Sequence, residues 1–190
     1  MADVDIEALA RQVDRLTSIE SIRGLISAYC AACDEHDMPR LMSLFTDDAA
    51  FDAPNGAMVA DGKAAIEEMF INTFKIRGPS YHWTHDVTID IDEDGNGASG
   101  VVMAHAETCP SGVMSIAAMR YYDRYRREAG QWRFASRSIH FLYYVPFTEY
   151  GSVLTTTNRV VMGTERHPAD VPEALAAWRQ FIDTHGPLQI

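Results

Sequence analysis

The chain has 190 residues, 47% of them hydrophobic and 23% charged, which is the composition of a folded globular protein long enough for one domain. Its 27 acidic and 16 basic side chains give a formal charge of −11, which repels nucleic-acid phosphates and anionic lipid headgroups. No apolar run reaches the roughly 20 residues that cross a bilayer, and the first residues are acidic and amphipathic, unlike a signal peptide. The sequence therefore predicts a cytoplasmic protein with no nucleic-acid or membrane partner.

The N-terminal region has the spacing of amphipathic helices. Apolar residues recur every three or four positions over residues 5–16, which predicts a first helix. The motif Thr17-Ser-Ile-Glu20 fits a capping box, so a second helix is predicted to start there and to end near Asp34. The apolar stripe of this helix places Tyr29 and Asp34 near the C-terminal end of a face that turns toward the core.

Three further elements are predicted before residue 80. Asp37 is a favourable N-cap, and Pro39 fits the first turn of a short third helix behind it. A short strand is predicted near residues 49–53. After the turn residues Asp61-Gly62, a helix is predicted from about residue 63 to 74.

After residue 80 the hydrophobic pattern changes from helical to alternating. Short glycine-containing turns separate four long segments, which predicts consecutive strands that pair antiparallel. These strands are predicted near residues 81–91, 98–108, 113–127 and 132–144. Helices followed by a sheet indicate an α+β fold, in which a cone-shaped, curved antiparallel sheet wraps the N-terminal helices and leaves a cavity.

The C-terminal region has no clear periodicity until Asp170-Val-Pro-Glu173, which is predicted to cap a final helix that ends at Gly186. No repeat or low-complexity segment divides the chain. We therefore expect a single domain over residues 1–190, with a core of about 6–145 and a C-terminal extension over 146–190.

The three cysteines, Cys30, Cys33 and Cys109, cannot form a closed disulfide framework. Cys30 and Cys33 are spaced to share one helix face, and no second cysteine or histidine pair lies nearby to complete a zinc site, so core packing is expected. The sequence also has no glycine-rich phosphate loop, no G-x-S-x-G and no H-E-x-x-H. Acid/base chemistry without a metal or a cofactor is the class that remains.

Asp34 and two histidines are the first candidates for such chemistry. A carboxylate at the inner end of an apolar stripe must be paired if it is buried, although spacing alone favours a solvated aspartate at the helix end. Residues 81–86 place His82 and His85 among aromatic side chains, where an imidazole beside a carboxylate could take and return a proton. Strict alternation puts His85 on the face of the apolar residues that follow, and His82 reaches that face only through a bulge.

Arg137 and His105 are weaker candidates on later strands. Arg137 alternates out of phase with Trp132 and Phe134, so it is either an exposed strand arginine or a donor that stabilises negative charge on a leaving group. His105 shares one strand face with Glu107 and is a candidate of the same kind.

Four groups of residues carry a resemblance to a known family. They are Ile19-Glu20-Ser-Ile22-Arg23-Gly-Leu25 through Tyr29 and Asp34, Leu44-Phe45-Thr-Asp-Asp-Ala, the strand His82-x-x-x-Asp86, and Tyr125-x-x-x-x-Gly130-x-Trp132-Arg-Phe134. In order and spacing they resemble the SnoaL-like family, which belongs to the nuclear-transport-factor-two-like superfamily of cone-shaped α+β folds. The resemblance runs from about residue 6 to 145 and does not cover the extension.

Enzymes of this family include scytalone dehydratase, lindane dehydrochlorinase and bile-acid 7-alpha-dehydratase. In them a histidine that begins the first long strand abstracts a proton, and an aspartate from a helix end pairs with it. The resemblance implies that His82 is this histidine, against the alternation that favours His85, and that Asp34 is its partner. It further implies a catalytic role for Tyr29 and a substrate-binding role for Arg137.

We keep His85 and His105 as further candidates for substrate binding. Together these residues predict a cofactor-independent lyase of the dehydratase type that acts on an apolar polycyclic or aromatic small molecule. A carbon–carbon lyase that releases an aldehyde from a lignin-like aromatic or a steroid, or an isomerase, would use the same pair. A non-catalytic ligand-binding protein and a dioxygenase beta-like subunit are the alternatives from other classes. Since relatives assemble through the outer face of the sheet, we expect a homodimer or homotrimer.

Overall fold

The computed structural model describes residues 5–56 and 58–187, so the first four and last three residues of the predicted domain lie outside it. The helices are α1 (Ile6–Glu35), α2 (Met38–Ser43), α3 (Lys63–Arg77) and α4 (Ala176–His185), with 3-10 helices at Pro110–Gly112 and Phe147–Thr155. The strands are β1 (Phe45–Asp52), β2 (Ala60–Asp61), β3 (Ser80–Ile91), β4 (Gly97–Thr108), β5 (Ser115–Glu128), β6 (Gln131–Pro146), β7 (Val160–Met162) and β8 (Glu165–His167). No helix in the described part of the chain is long and apolar enough to cross a membrane.

The strands form one curved, unclosed sheet in the order β2-β1-β6-β5-β4-β3. Strands β3 to β6 pair antiparallel in sequence order, as the short turns between them predicted. Strands β1 and β7 pair parallel to β6, so the curved sheet that was predicted as antiparallel is mixed. Both parallel partners come from distant parts of the chain, which a local pattern does not reveal. The predicted α+β cone fold is confirmed.

The predicted break between two N-terminal helices at Thr17 is wrong, because α1 is one uninterrupted helix. The hydroxyls of Ser18 and Ser21 donate to the carbonyl oxygens of Asp14 and Thr17, one turn earlier, at 2.7 and 2.8 Å. These bonds satisfy the hydroxyls inside the helix, so no cap forms there. Arg127 of β5 also binds the Asp14 carboxylate at 3.0 Å and stabilises the helix across the predicted break.

The predicted N-cap of α2 is confirmed, whereas the predicted cap of α4 is wrong. Asp37 accepts the backbone N–H of Arg40 at 3.0 Å. Asp170 instead accepts the backbone N–H of Phe141 in β6 at 2.8 Å, and no side chain caps α4. Asp170, which the sequence pattern predicted as a helix cap, therefore attaches the C-terminal extension to β6 of the sheet. Helix α4 does end at Gly186, as predicted.

The core lies between α1 and the concave face of the sheet. Ile22, Ile26 and Tyr29 follow one another along α1 and are buried there. Cys30 and Cys33 are buried beside them as free thiols, and burial raises their pKa values to about 11 and about 12. Both thiols stay protonated near neutral pH, in agreement with the packing role expected from the sequence.

Small side chains leave space at one end of this core. Ala106 of β4 lies opposite Ala117 of β5, and both are buried on the concave face. Alanine side chains are too short to fill the distance between a sheet and the helices packed on it, so a cavity remains where they stand.

The C-terminal extension closes one side of this cavity. Strands β7 and β8 form a hairpin that joins the sheet beside β6. Arg159, with its side chain only 2% exposed, attaches the hairpin: its guanidinium donates to the carbonyl oxygens of Leu142 and Val171. It also forms two bonds of 2.7 and 2.8 Å with the Glu173 carboxylate, which connects the start of the hairpin to the segment before α4.

We expect Arg159→Met to lower the free energy of unfolding by about 2–4 kcal/mol, because the carbonyl groups and Glu173 lose a buried donor. Chemical denaturation measures this loss, and hydrogen exchange of the β7 amides reports whether the hairpin opens. Arg166→Met is the control, since the pair of Arg166 with Glu149 is exposed and should contribute less than about 1 kcal/mol. Equal losses in the two variants would contradict an anchoring role for Arg159.

Candidate active site

The C-terminal end of α1 presents Asp34 to the start of β3. His36 adopts a left-handed conformation with a φ of 54°, and its N–H bonds to the carbonyl oxygens of Ala32 and Cys33, which ends the helix. Asp34 therefore lies in the last turn, where its side chain is 15% exposed and faces the first residues of β3.

The Asp34 carboxylate binds both the backbone and the ring of His82. Its Oδ2 accepts the backbone N–H of His82 at 2.9 Å, and its Oδ1 lies 2.5 Å from Nδ1 of the ring. Oδ1 also accepts the Ser80 hydroxyl at 3.2 Å. Because an ionised carboxylate only accepts hydrogen bonds, Nδ1 carries the hydrogen, and the lone pair of the neutral ring is on Nε2. The structure thus brings together the two residues that the resemblance paired, while their chemical role stays a prediction.

A bulge in β3 explains why His82 reaches the interior and His85 does not. The register with β4 shifts between Thr84 and Val87, so β3 contains an extra residue at this point. The side chain of His82, before the bulge, is 6% exposed, and Val87, after it, also packs against the core. His85 lies within the bulge and is exposed. The prediction from alternation that His85 faces the interior is wrong, because it assumed that β3 has no bulge.

The interactions with His82 lower the pKa of Asp34. Burial is the largest single influence and would raise this pKa, but the side-chain, backbone and charge interactions with His82, together with the Ser80 hydroxyl, exceed it. The carboxylate therefore stays ionised at mildly acidic pH, where it continues to orient the ring.

We expect Asp34→Asn to lower the free energy of unfolding by about 1–3 kcal/mol at neutral pH, because hydrogen bonds to a charged acceptor are lost. The pKa of Asp34 is lower in the folded protein than its usual value of 3.8. Its stabilising contribution is therefore complete above that usual value and disappears as the pH falls through the lowered folded value. The difference in the free energy of unfolding between the wild-type protein and the variant should therefore become smaller as the pH falls through the same range.

The measurement is urea denaturation at a series of pH values. Glu35→Gln is the matched control, because Glu35 is the next residue and its contact with Arg40 is exposed. This control should change stability little at any pH. A difference for Asp34→Asn that does not vary with pH would contradict the role assigned to the charge.

His82 lines a cavity of about 410 Å³, which is within the usual range of small-molecule sites. Most of the other lining side chains are apolar. They are Phe51, Met58, Ile76, Ala106, Val113, Ala117, Met119, Ile139, Phe141, Val145, Val161 and Met162. Two of them, Val161 and Met162, belong to β7, so the C-terminal extension supplies part of the wall. A ligand that fills this space must itself be largely apolar.

Several polar lining residues were not identified from the sequence. The hydroxyls of Thr108 and Tyr144 bond to each other at 2.9 Å, and both residues line the cavity. Thr108 continues the inward alternation of Ala104 and Ala106 along β4, so this signal was present in the strand pattern. Arg77, in the last turn of α3, also lines the cavity, and no pattern distinguishes it from an ordinary basic residue at a helix end.

Tyr29 is part of the cavity floor. It lines the cavity although it is only 3% exposed, and its ring meets those of Phe70 and Tyr121 edge to face. Burial raises the pKa of Tyr29 well above its usual value of 10.0. The hydroxyl therefore stays protonated and can donate a hydrogen bond to a ligand.

Arg137 lies beneath this floor and is not among the residues that line the cavity. Its Nε and Nη2 donate to the Asp123 carboxylate at 2.8 and 2.7 Å, and both side chains are fully buried. Its guanidinium carbon lies 4.1 Å from the ring centroid of Tyr29 and 4.2 Å from those of Tyr121 and Phe134. Three aromatic faces and one carboxylate thus stabilise the buried cation.

A second bulge turns Arg137 inward. The register of β6 with β5 shifts at Ala135, so Phe134 and Arg137 both face the core although they are three residues apart. Strict alternation had predicted that Arg137 and Phe134 lie on opposite faces of the sheet, and the bulge places them on the same face. Nε and Nη2 of Arg137 are engaged by Asp123 outside the cavity lining, and its role in substrate binding stays a prediction.

His85 and His105, the other predicted substrate-binding residues, are likewise outside the cavity lining. Nε2 of His85 lies 2.8 Å from Nδ1 of His105 on the convex side of the sheet. Burial and then the charge of His85 lower the pKa of His105. A separate cleft of about 370 Å³ at the sheet edge includes His85 with Arg23 and Asp86. The structure thus places neither histidine in the lining of the main cavity, and their role in substrate binding stays a prediction.

The arrangement around His82 is suited to proton transfer. His82 lines the cavity and Asp34 does not, so the imidazole ring separates the carboxylate from the space where a ligand would lie. Asp34 can hold the ring and stabilise the cation that forms when Nε2 takes a proton. Within residues 5–56 and 58–187, no three His, Cys, Asp or Glu side chains are grouped so as to hold a metal ion.

Comparison with known proteins identifies relatives of the same architecture. A family model described as a SnoaL-like domain matches residues 14–138. A hexachlorocyclohexane dehydrochlorinase from Novosphingobium barchaimii is 20% identical, with a TM-score of 0.65 over 72% of this chain and 94% of that chain. A scytalone dehydratase-like protein from Novosphingobium aromaticivorans is 19% identical, with a TM-score of 0.66 over 72% of this chain and 91% of that chain. An aromatic ring hydroxylase-like protein from the same organism is 26% identical, with a TM-score of 0.63 over 77% of this chain and 98% of that chain.

Proposed function

Since this chain belongs to the SnoaL-like domain family, we propose that it is a cofactor-independent lyase of the dehydratase type. In this proposal His82 is the general base, Asp34 orients it, and Tyr29 assists the leaving group. The substrate is a largely apolar polycyclic or aromatic molecule that fills the cavity of about 410 Å³. The dehydrochlorinase and the scytalone dehydratase-like protein among the structural relatives carry names of elimination enzymes, which supports this reaction class.

The observation that carries the proposal is the position of the His82 ring between a carboxylate and an apolar cavity. A histidine that serves only to stabilise the fold does not need to line a cavity of ligand size, as His82 does. The 2.5 Å contact between Nδ1 of His82 and Oδ1 of Asp34 supports an orientation in which Nε2 is the nitrogen available to a substrate.

The proposed elimination transfers one proton and releases one water molecule. Nε2 of His82 takes a proton from the carbon next to the one that bears the hydroxyl group. The electrons of that C–H bond form the new double bond as the C–O bond breaks. The Tyr29 hydroxyl donates a hydrogen bond to the departing oxygen, and protonated His82 returns its proton to it, so that water leaves and the free enzyme is restored.

A screen in the presence of EDTA and without added cofactor tests the proposal. The wild-type protein is incubated with polycyclic and aromatic alcohols that have an acidic C–H bond next to the hydroxyl-bearing carbon. Mass spectrometry is expected to detect loss of one water from at least one compound. Release of an aldehyde would indicate the carbon–carbon lyase instead, and a product of unchanged mass an isomerase. Binding without any conversion would support a ligand-binding protein and contradict the lyase.

We also propose that the protein forms a homodimer or homotrimer through the convex face of the sheet. Tyr81, Trp83 and Met103, here called the outer-face patch, are 58%, 42% and 41% exposed on β3 and β4. Large apolar side chains that are grouped on an exposed sheet face are typical of protein interfaces.

We expect Trp83→Glu to dissociate this assembly, because a buried charge would replace an aromatic anchor that typically contributes about 2 kcal/mol or more. Light scattering after size-exclusion chromatography gives the mass of each species. Phe181→Glu on α4 is the control, because Phe181 is also exposed and lies outside the patch. A wild-type monomer, or an assembly that Trp83→Glu leaves intact, would contradict the proposal. A stable heteromer with a larger protein would support a subunit role.

A further inference from the structure

Arg77 occupies a fixed position at the edge of the cavity. It is the last residue of α3, it is half-buried, and it lines the same cavity as His82. Its carbonyl oxygen accepts the backbone N–H of Cys109 at 3.1 Å. The next residue, Gly78, has a φ of 63°, and a Cβ there would approach the Cys109 carbonyl oxygen to 2.9 Å. The backbone that carries Arg77 is therefore held closely against the segment before the first 3-10 helix.

The charge of Arg77 has no counter-charge in the described structure. Within residues 5–56 and 58–187 its guanidinium forms no ion pair and donates no hydrogen bond, and it lies 5.6 Å from the ring of Phe74. Among the described residues that line the cavity there is no other lysine or arginine and no aspartate or glutamate. Most other arginines near the sheet form an ion pair with a carboxylate, as Arg137 does with Asp123.

The positive charge of Arg77 influences the pKa values of two buried groups near the cavity, Cys33 and Tyr29. Burial raises the pKa of Cys33 to about 12, and the charge of Arg77 is the largest influence in the opposite direction. The same charge also opposes the rise in the pKa of Tyr29 that burial causes. Both effects agree with the place of Arg77 in the lining of the cavity that Tyr29 also lines.

We propose that the ligand of this cavity carries a carboxylate, which Arg77 binds, on an otherwise apolar aromatic or polycyclic body. A half-buried cation beside apolar walls is best satisfied by an anion that enters with the ligand. A single guanidinium matches the two oxygens of one carboxylate, whereas a dianion such as a phosphate would lack a second cation here. With a formal charge of −11 on the chain, an anionic ligand also needs a local positive charge to bind. This inference rests on the proposed function, because it takes the cavity lined by His82 as the active site.

Calorimetric titration with a matched pair of probes tests the inference. The probes are 2-naphthylacetate and its neutral amide, 2-naphthylacetamide, at pH 7. The wild-type protein is expected to bind the carboxylate about tenfold more tightly than the amide. Arg77→Gln should abolish this preference, and Arg77→Lys, which keeps the charge, should retain part of it. Lys75→Gln makes the same change in net charge on the exposed side of α3, outside the cavity lining, and should retain all of it.

Three results would overturn the inference: equal affinity of the wild-type protein for both probes, an unchanged preference in Arg77→Gln, or no binding of the carboxylate. The titration needs no turnover, so its outcome is separate from that of the lyase proposal. An Arg77-dependent preference without conversion of any alcohol would support the carboxylate site and contradict the lyase. Turnover of an alcohol, together with equal affinity of the wild-type protein for the two probes, would support the lyase and contradict the carboxylate site.

Discussion

His82→Gln is expected to lower the rate of the proposed elimination by about 100- to 10,000-fold, the usual contribution of a positioned general base. Glutamine keeps a side chain of similar size but cannot take up a proton at neutral pH. Because the cavity walls are formed mainly by other, apolar residues, binding of a substrate-sized ligand should change little. Single-turnover rates measure the chemical step, and calorimetric titration with the same ligand measures binding.

His85→Gln is the matched control for this prediction. His85 lies only three residues further along β3, but it is exposed in the bulge and is outside the lining of the main cavity. We expect this variant to retain the wild-type rate. A large loss in His85→Gln with full activity in His82→Gln would contradict the assignment of the base. Loss of binding and rate together in His82→Gln would indicate a role in holding the ligand and not in proton transfer.

Arg137→Met is expected to lower the free energy of unfolding by about 3–5 kcal/mol, the usual cost of removing one partner of a buried ion pair. The substitution leaves the buried Asp123 carboxylate with the Tyr125 hydroxyl, which donates to it at 2.7 Å, but without a cation. It also removes the guanidinium that lies within 4.2 Å of three ring centroids. Urea denaturation followed by tryptophan fluorescence measures the loss.

Two further variants test whether the loss of stability comes from leaving the Asp123 charge buried without a cation. The double substitution Arg137→Met with Asp123→Leu should recover much of the stability, because apolar groups often replace a buried ion pair without loss. Arg124→Met removes an exposed partner from Asp92 and should cost less than about 1 kcal/mol. If Arg137→Met costs no more than Arg124→Met, the buried pair does not stabilise the core.

The elements that were predicted well depend on neighbours in the sequence. Alternation and glycine-containing turns located β3 to β6 to within about two residues, and the Asp37 cap located α2. The capping signal at Thr17 failed because the helix continues through the motif, in which the Ser18 hydroxyl bonds to the carbonyl oxygen of Asp14 in the preceding turn. The predicted cap at Asp170 failed because the Asp170 carboxylate accepts the backbone N–H of Phe141 in β6 instead.

The candidate site was predicted in part. The resemblance paired Asp34 with His82, and the structure places them in contact although 48 positions separate them. Alternation alone favoured His85, since nothing local announces the bulge between Thr84 and Val87. The inward orientation of Arg137 escaped prediction for the same reason.

The sequence by itself determined that the chain folds as an α+β cone with helices first and four long strands after them, because helical spacing and strand alternation are properties of adjacent residues. It also contained the residue types that proton transfer requires. Only the tertiary structure decided which side chains line the cavity, because that depends on bulges and on pairings between distant segments. The parallel attachment of β7 beside β6 and the ion pair of Arg137 with Asp123 arise from such pairings. The position of Arg77 in the cavity lining, without a counter-charge among the described residues, depends on them as well. Their energies depend on distances in space that no local pattern specifies.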